Sequence, residues 1–468
     1  MTLPREVQLN AWTGKEAAHG ELEAEAAKWG AREDGLPHSQ KVLPFEPPVP
    51  LTAWDDPDVG YGILLPDDET LGLTAAQKAA GEDAPAPVRE LLAAREGSVV
   101  LRWSPDLGSR FLRRYYADDP DAQDSAIGLS NFGVGKGRLP KYVAIVGGPE
   151  VIPWSVQYAL GTRHAVGRIP LEGEALAHYI DALLTDWQGA EATLDRALVW
   201  SVDHGLADIM TSLMRAVVAQ PLANSLTPPP LASFREIAAE EATGAALLKE
   251  LEVSRPGLVI TSSHGLTEPL DDSDVMRASL GLPVDQTFTP VPVRELSAAM
   301  PGGCIWFAQA CCSAGGAGRS LYENLLKPEW PAFGMVTAVA RLGPLVAPAA
   351  LAVLGRKNPV RAVLGHVEPT FSWTLEVEET GQHLGGRIVS ALTRQLYSGY
   401  PLAYAFSDYR ADVGQLHTNW FALSDTLAGG DSSVREEMTR LRLSAIDRQS
   451  LVLLGDPTVA LPALPGFR

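Results

Sequence analysis

Cysteine is scarce in this chain, and its three copies stand close together. Cys304, Cys311 and Cys312 are the only cysteines among 468 residues. A disulfide framework would spread an even number of cysteines along the sequence, so this usage disfavours a disulfide-stabilised secreted domain and indicates a reducing compartment. The clustering also indicates that any thiol chemistry takes place at one position.

Long apolar runs and clusters of basic residues are also absent. No segment approaches the roughly 20 consecutive apolar residues that span a bilayer, and the first residues lack the basic region and apolar core of a secretion signal. The formal net charge is −19, whereas nucleic-acid binding depends on clustered Lys and Arg. We therefore expect a cytoplasmic protein that contacts neither membranes nor nucleic acid directly.

Composition and length predict a globular protein with several packing units. Apolar residues make up 46% of the chain and charged residues 20%, as in ordinary soluble proteins. Residues 1–89 alternate Ala/Glu-rich patches with Pro-rich breaks, which predicts an accessory or propeptide-like region. The pattern of residues 90–189 predicts a small α/β subdomain, and that of residues 190–468 predicts a larger α/β domain.

Short runs rich in Val, Ile and Leu alternate with helical patterns along most of the chain. Helices are predicted at 175–187, 207–223 and 240–252. Strands are predicted at 98–103, 141–148, 197–202, 233–237, 257–263, 303–310, 362–367 and, as an edge strand, 451–456. Residues 117–140 are expected to form a surface loop. The alternation is typical of a mostly parallel sheet flanked by helices on both faces.

Two predicted strand ends carry residues suited to thiol chemistry. The strand at 257–263 runs into His264 and Gly265, and the strand at 303–310 runs into Cys311. Chemistry in such sheets gathers beyond the carboxyl ends of the strands, and an imidazole beside a thiol can take its proton. We predict Cys311 as nucleophile, His264 as its proton-transfer partner, and backbone N–H groups near Gly265 and Cys311 as an oxyanion hole.

The same residues resemble a known family. The tripeptide 309–311, Gln-Ala-Cys, is similar to the start of the caspase active-site signature, and His264 lies about 50 residues before it, as in that signature. Cys312, Ser313 and Ala314 then intervene before Gly315, and this longer turn looks more like gingipain-type and other bacterial relatives. Further similarities lie at 141–154, 165–170, 365–368 and 453–457. The chain therefore resembles caspase-type and gingipain-type cysteine peptidases over about residues 90–460.

The resemblance implies a fold and an activity. The fold would be a caspase-like, mostly parallel sheet with helices on both faces and a smaller N-terminal α/β subdomain. The activity would be peptide-bond hydrolysis through a thioester, without a cofactor, selective for the residue before the cleaved bond. Implied partners are a protein or peptide substrate and an activating protein, with a role in bacterial defence or regulated cell death. The alternative is a catalytically silent scaffold or binding protein with the same fold.

Several assignments remain open at this stage. Cys312 is the alternative nucleophile, because in several relatives a glycine follows the cysteine by three positions, as Gly315 does here; Gln309, two residues before Cys311 as in caspases, favours Cys311. Gln309 is similar to a residue in the wall of the caspase substrate pocket, which favours Asp before the cleaved bond. Asp271 could instead favour Arg or Lys at that position, as in gingipains. His204 also follows a strand and is predicted as a pocket-wall or structural residue.

A metal site is not expected. Cys311, Cys312, His264 and His366 include good zinc ligands, but adjacent cysteines chelate one tetrahedral ion poorly. The chain also has no C-x-x-C or H-x-x-x-H pair. The sequence does not determine whether a third residue orients His264.

Overall fold

The structure is a computed structural model that describes residues 6–23, 26–30, 49–205, 208–228, 230–377 and 380–466. Within these ranges the chain has a mixed α/β fold built on one large sheet. Its α-helices are α1 Ala26–Gly30, α2 Ala75–Ala80, α3 Ala86–Ala94, α4 Trp154–Gly161, α5 Gly173–Leu184, α6 Ile209–Met214, α7 Gln220–Leu226, α8 Gly244–Ser254, α9 Ser273–Ser279, α10 Val293–Ala299, α11 Pro331–Arg341, α12 Pro348–Gly355, α13 Gly386–Ser390, α14 Leu402–Ala405, α15 Ser407–Ala428 and α16 Arg435–Gln449.

The strands of these ranges include both long sheet strands and short pairs. They are β1 Glu6–Trp12, β2 Ala17–Glu21, β3 Tyr61–Pro66, β4 Val99–Trp103, β5 Phe111–Tyr116, β6 Asp119–Ala126, β7 Tyr142–Val146, β8 Ala165–Ile169, β9 Thr193–Ser201, β10 Ser233–Ala238, β11 Pro256–Ser262, β12 Gly265–Leu266, β13 Ile305–Gln309, β14 Gly315–Gly316, β15 Leu345–Val346, β16 Ala362–His366, β17 Glu376–Val377, β18 Gln382–His383 and β19 Leu451–Gly455.

Twelve of the described strands form one sheet, in the order β10-β9-β11-β13-β16-β19-β8-β7-β3-β4-β5-β6. The strands from β10 to β16 run parallel to one another, and so do those from β19 to β4. The two sets meet at the antiparallel pair β16–β19. The carboxyl ends of β9, β11, β13 and β16 therefore converge on one edge of the sheet.

The apolar runs of the sequence became strands, but two local predictions were wrong. Residues 451–456 were expected at an edge, whereas β19 is central because it joins the two parallel sets. Residues 117–140 were expected to be a loop, but β6 pairs antiparallel with β5. β6 is polar and mostly exposed, so its neighbour β5, rather than hydrophobic patterning, specifies it. That helices cover both faces of the sheet stays a prediction.

The predicted N-terminal region contributes directly to the main body. β3 lies within residues 1–89 and pairs with both β4 and β7. β1 pairs antiparallel with β2 and parallel with β12. Residues 31–48 of this region lie outside the described ranges. The division into units at 89 and 189 stays a prediction.

A buried carboxylate ties the first half of the chain to its last strand. Asp456, just after β19, accepts hydrogen bonds from the Tyr61 hydroxyl at 2.6 Å and from the Arg95 guanidinium at 3.1 Å. Its other oxygen accepts from the backbone N–H of Thr458 at 2.9 Å and so shapes the following turn. Buried polar groups are retained where partners satisfy them, and Asp456 has a structural role of that kind.

In the part of the chain that the structure describes, no helix has the length and apolar character needed to cross a bilayer.

Candidate active site

The two predicted catalytic residues follow neighbouring strands at matching positions. β11 and β13 are parallel, with Ser262 paired to Gln309, and the N–H of Ser263 donates to the carbonyl of Gln309 at 3.2 Å. His264 and Cys311 each stand two residues beyond that pair. A Cβ added at Gly265 would lie 1.9 Å from the carbonyl oxygen of Cys311, so only glycine allows this approach. The strand ends thus bring the histidine and cysteine loops together.

A carboxylate that sequence reasoning missed holds His264. Asp208 Oδ2 lies 2.6 Å from His264 Nε2, 3.2 Å from His204 Nδ1 and 3.0 Å from the Thr211 hydroxyl. Burial by itself raises the pKa of Asp208, but hydrogen bonds from His204 and His264 outweigh it and hold the pKa well below its usual value. Asp208 is therefore ionised across the neutral range.

The Asp208 contact assigns roles to the two nitrogens of His264. When a neutral imidazole donates from Nε2 to a carboxylate, Nδ1 is left as the acceptor. His264 is fully buried, and its Nδ1 has no hydrogen-bond partner among the described residues. This nitrogen is the one that can accept a proton from a thiol.

Asp208 follows β9, the strand beside β11, and caps helix α6. Its Oδ1 accepts from the backbone N–H of Met210 at 3.2 Å, which is the usual role of an N-cap aspartate. An aspartate at a strand-to-helix junction, four residues after His204, was the available signal in the sequence. The spacing of Asp208 from His264, 56 residues along the chain, gives no local pattern that joins the two.

Cys311 lies beneath the loop that follows β16. Its sulfur accepts a hydrogen bond from the backbone N–H of Thr370 at 3.2 Å, and the side chain is fully buried. Burial raises the pKa of Cys311 well above its usual value, opposed in part by the hydrogen bonds from Thr370. No hydrogen bond among the described residues joins this sulfur to His264. The thiol is therefore protonated in this arrangement.

Cys312 occupies a different environment. Its backbone is left-handed, with φ of 55°, and the side chain is fully buried. Burial, with the nearby Cys311 and Glu368, raises the pKa of Cys312 well above its usual value. Burial and Glu368 also raise the pKa of Cys311, so the two thiols differ mainly in the hydrogen bond that the Thr370 N–H donates to the sulfur of Cys311.

The three predicted pocket residues lie in three different settings. Gln309 is buried, its Oε1 accepts from the Ser262 hydroxyl at 3.0 Å, and it lines a small cavity with Met210 and Asp447. The His204 ring stacks on Phe288 at 4.0 Å and lies 6.2 Å from the His264 ring. Asp271 is exposed and lines an open groove with Lys15 and Arg341; no described contact joins it to Cys311 or His264.

His204, Asp208 and His264 also form a group of metal-ligating side chains. Their ligand atoms lie within 4.8 Å of one another, and imidazole with carboxylate suits Zn²⁺. The sequence-based expectation of no metal considered only cysteines with His264 and His366, and Asp208 supplies a ligand that it did not include. The same nitrogen and oxygen atoms form the hydrogen bonds described above, so a cation here would replace the contact that orients His264.

Comparisons with known proteins give two distant structural matches. No protein-family model matches the chain, and no curated protein matches it. The crystal structure of the Arg-specific cysteine proteinase gingipain R (RgpB) matches with 12% identity and a TM-score of 0.38, covering 87% of this chain and 79% of that one. The complex of the RgpB pro- and mature domains from Porphyromonas gingivalis matches with 11% identity and a TM-score of 0.37, covering 86% and 80%. At these values neither match assigns a reaction to this chain.

A buried carboxyl group near the cysteines makes stability depend on pH. Burial raises the pKa of Glu368 from 4.5 to about 8, so the folded protein holds a proton that the unfolded chain releases above pH 4.5. The free energy of unfolding should therefore fall as pH rises from about 4.5 to 8. Glu368→Gln should reduce the change in the free energy of unfolding between pH 5 and pH 8 by on the order of 1–4 kcal/mol. Urea denaturation at each pH measures this change.

The exposed Glu96 provides the matched control for Glu368. Glu96→Gln should leave the pH dependence of unfolding unchanged, because its carboxyl group lies on the surface. Other buried groups also titrate; burial lowers the pKa of His366 to about 3, for example. Such groups affect the native chain, Glu368→Gln and Glu96→Gln equally. Parallel pH curves for the native chain and Glu368→Gln would show that Glu368 is not held protonated.

Proposed function

We propose that this protein is a cysteine endopeptidase that uses Cys311, His264 and Asp208. The thiol proton passes to Nδ1 of His264, and the sulfur attacks the carbonyl carbon of a peptide bond. The His264 proton then goes to the leaving amine as the carbon–nitrogen bond breaks. Water attacks the resulting thioester, which releases the acid and restores the thiol.

One observation carries this proposal: a histidine held by a carboxylate lies in the loop next to that of a cysteine whose backbone N–H already donates to a peptide carbonyl. Asp208 Oδ2 lies 2.6 Å from His264 Nε2, and the Cys311 N–H donates to the carbonyl of Asn10 at 3.2 Å. Nucleophilic sites share this pattern of an oriented base and backbone donors aimed at a carbonyl oxygen. Gly265 lies close against the Cys311 backbone, and the Cys311 N–H is suited to stabilise an oxyanion.

A catalytically silent scaffold is the second candidate, and the burial of Cys311 favours it. The thiol has no exposed surface. A peptide substrate cannot reach it unless β1, whose Asn10 carbonyl accepts from the Cys311 N–H, moves away. A scaffold with this fold would keep the same contacts and never open. The two candidates differ in whether any treatment that opens the cleft yields hydrolysis.

The direct test is peptide cleavage after mild opening of the N-terminal segment. The purified chain, before and after limited proteolysis within residues 1–30, is incubated with a peptide library, and the cut positions are read by mass spectrometry. A peptide chloromethyl ketone is then added, and we expect it to alkylate Cys311. Cys304→Ala is the matched control, because Cys304 lies at the other end of β13; it should retain both cleavage and labelling. Absence of cleavage in every opened form would favour the scaffold.

A further inference from the structure

A residue of the chain's own N-terminal strand is held by three hydrogen bonds inside the candidate active site. The N–H of Asn10 donates to the carbonyl of Thr370 at 3.0 Å, and its carbonyl accepts from the N–H of Cys311 at 3.2 Å. The side-chain Nδ2 donates to the carbonyl of Gln309 at 3.5 Å. Asn10 is fully buried, and its Oδ1 has no hydrogen-bond partner among the described residues. Both main-chain groups and the amide are thus directed at the site.

The residues on either side of Asn10 are extended along the cleft. Leu9 forms an antiparallel bridge with Phe371, whereas Ala11 and Trp12 pair in parallel with β12. The N–H of Thr267 donates to the carbonyl of Trp12 at 3.3 Å. An extended peptide recognised by main-chain pairing, with a side chain in a pocket, is a general mode of peptide recognition. β1 meets the site in that mode.

The position of Asn10 relative to the proposed chemistry is specific. The donor on its carbonyl is the Cys311 N–H, the group that would stabilise the oxyanion. The peptide bond that corresponds to a substrate's cleaved bond is therefore the one between Asn10 and Ala11. On the far side of this bond, the Trp12 ring lies 6.3 Å from the His264 ring and stacks on Phe288 at 4.1 Å, which covers the histidine.

We propose that β1 occupies the active site as a peptide substrate does, which keeps the protein latent, and that the site accepts asparagine immediately before the cleaved bond. This inference rests on the proposed function and names its substrate class. The strand is well suited to block the site, because Val7, Leu9 and Ala11 are buried in the same apolar cluster as Cys311.

The chemistry of the pocket favours an amide over a carboxylate at this position. The carbonyl oxygen of Gln309 accepts from the Ser263 N–H at 3.2 Å and also from the Asn10 amide at 3.5 Å. An ionised Asp in place of Asn10 would set a second acceptor against that oxygen. The side chain of Gln309 is already bonded to Ser262 and offers no positive charge. The Asn10 side chain is fully enclosed, so a longer side chain at this position would require its neighbours to move.

The turn between β1 and β2 provides a way to release the strand from a folded chain. Lys15 and Glu16 in this turn are exposed. β2 is anchored separately, since Glu21 at its end pairs with Lys327 at 2.5 Å. A cut in the turn therefore breaks the covalent link between β1 and β2 and leaves β2 in place, so that β1 can be removed separately.

The experiment uses the full chain with a site-specific protease sequence inserted between Gly14 and Lys15. Before and after cutting and removal of the released strand, two quantities are measured: alkylation of Cys311 by iodoacetamide, and hydrolysis of fluorogenic peptides ending in Val-Gln-Leu-X, with X as Asn, Asp or Arg. We expect little labelling and no hydrolysis before the cut. After the cut we expect rapid labelling and hydrolysis of the Asn peptide at least ~10-fold faster than the other two. Circular dichroism checks that the cut protein stays folded.

A synthetic peptide with the sequence of residues 6–13 separates binding from turnover. Added to the cut protein, it should protect Cys311 from alkylation, and the version with Asn10→Asp should protect at least ~10-fold less well. Equal labelling before and after the cut, or preferred hydrolysis of the Asp or Arg peptide, would overturn the inference while leaving a peptidase. Asn-dependent protection without hydrolysis of any peptide would support β1 as a bound ligand and refute the proposed function.

Discussion

Replacing Cys311 with alanine should abolish peptide hydrolysis by the opened protein, lowering kcat/KM by on the order of 10⁴-fold or more. The physical reason is that no thioester can form without the Cys311 sulfur. The substitution should leave the fold intact, because only one sulfur atom is removed from a buried position. Initial rates on a cleaved library peptide measure the effect.

Cys312→Ala is the matched variant for this measurement. It removes an equally buried sulfur from the adjacent position, so it carries a similar cost in packing. We expect its kcat/KM to stay within ~10-fold of the native value, because the proposed mechanism uses the sulfur of Cys311 and leaves that of Cys312 without a role. Activity that survives Cys311→Ala and disappears in Cys312→Ala would reverse the assignment of the nucleophile.

Asp208→Asn should produce the second large loss, lowering kcat by on the order of 10³–10⁴-fold with little change in KM. The amide keeps the size of the side chain and can still accept from the Met210 N–H. It no longer provides the carboxylate oxygen that fixes the proton on His264 Nε2, so the ring is free to present the wrong tautomer toward Cys311. Steady-state kinetics of the opened protein separate kcat from KM.

Asp203→Asn is the control for Asp208. Asp203 lies in the same strand-to-helix connection, where its Oδ1 accepts from the N–H of Gly205 at 3.0 Å, and no described contact joins it to His264. Its substitution should leave kcat nearly unchanged. If Asp208→Asn altered only KM, or if both variants lost kcat equally, Asp208 would be a structural residue and not the one that orients the base.

Much of the sheet was predictable from short-range patterns. Runs such as 257–263 and 303–310 are apolar throughout, since every residue of β11 and β13 is buried, and a fully buried parallel strand needs no polar alternation. β6 was missed because its polar sequence has no such signal. The central place of β19 was missed because strand order depends on the path of the whole chain.

The proximity of the loops that carry Cys311 and His264 was predictable for the same reason, and their action as a catalytic pair stays a prediction. Both residues follow buried strands, and adjacent parallel strands end at the same edge. The choice between Cys311 and Cys312 stays a prediction, and the tertiary contact that bears on it is the hydrogen bond from the Thr370 N–H to the sulfur of Cys311.

The sequence by itself determined the class of the fold, the strand ends that meet and the residue types available for chemistry, because these follow from local hydrophobic periodicity. Only the tertiary structure decided that Asp208 holds His264 and that β1 lies across Cys311. These contacts join positions far apart in the chain, such as Asn10 and Gln309. Pairings of this kind depend on how the whole chain closes, and no local pattern encodes them.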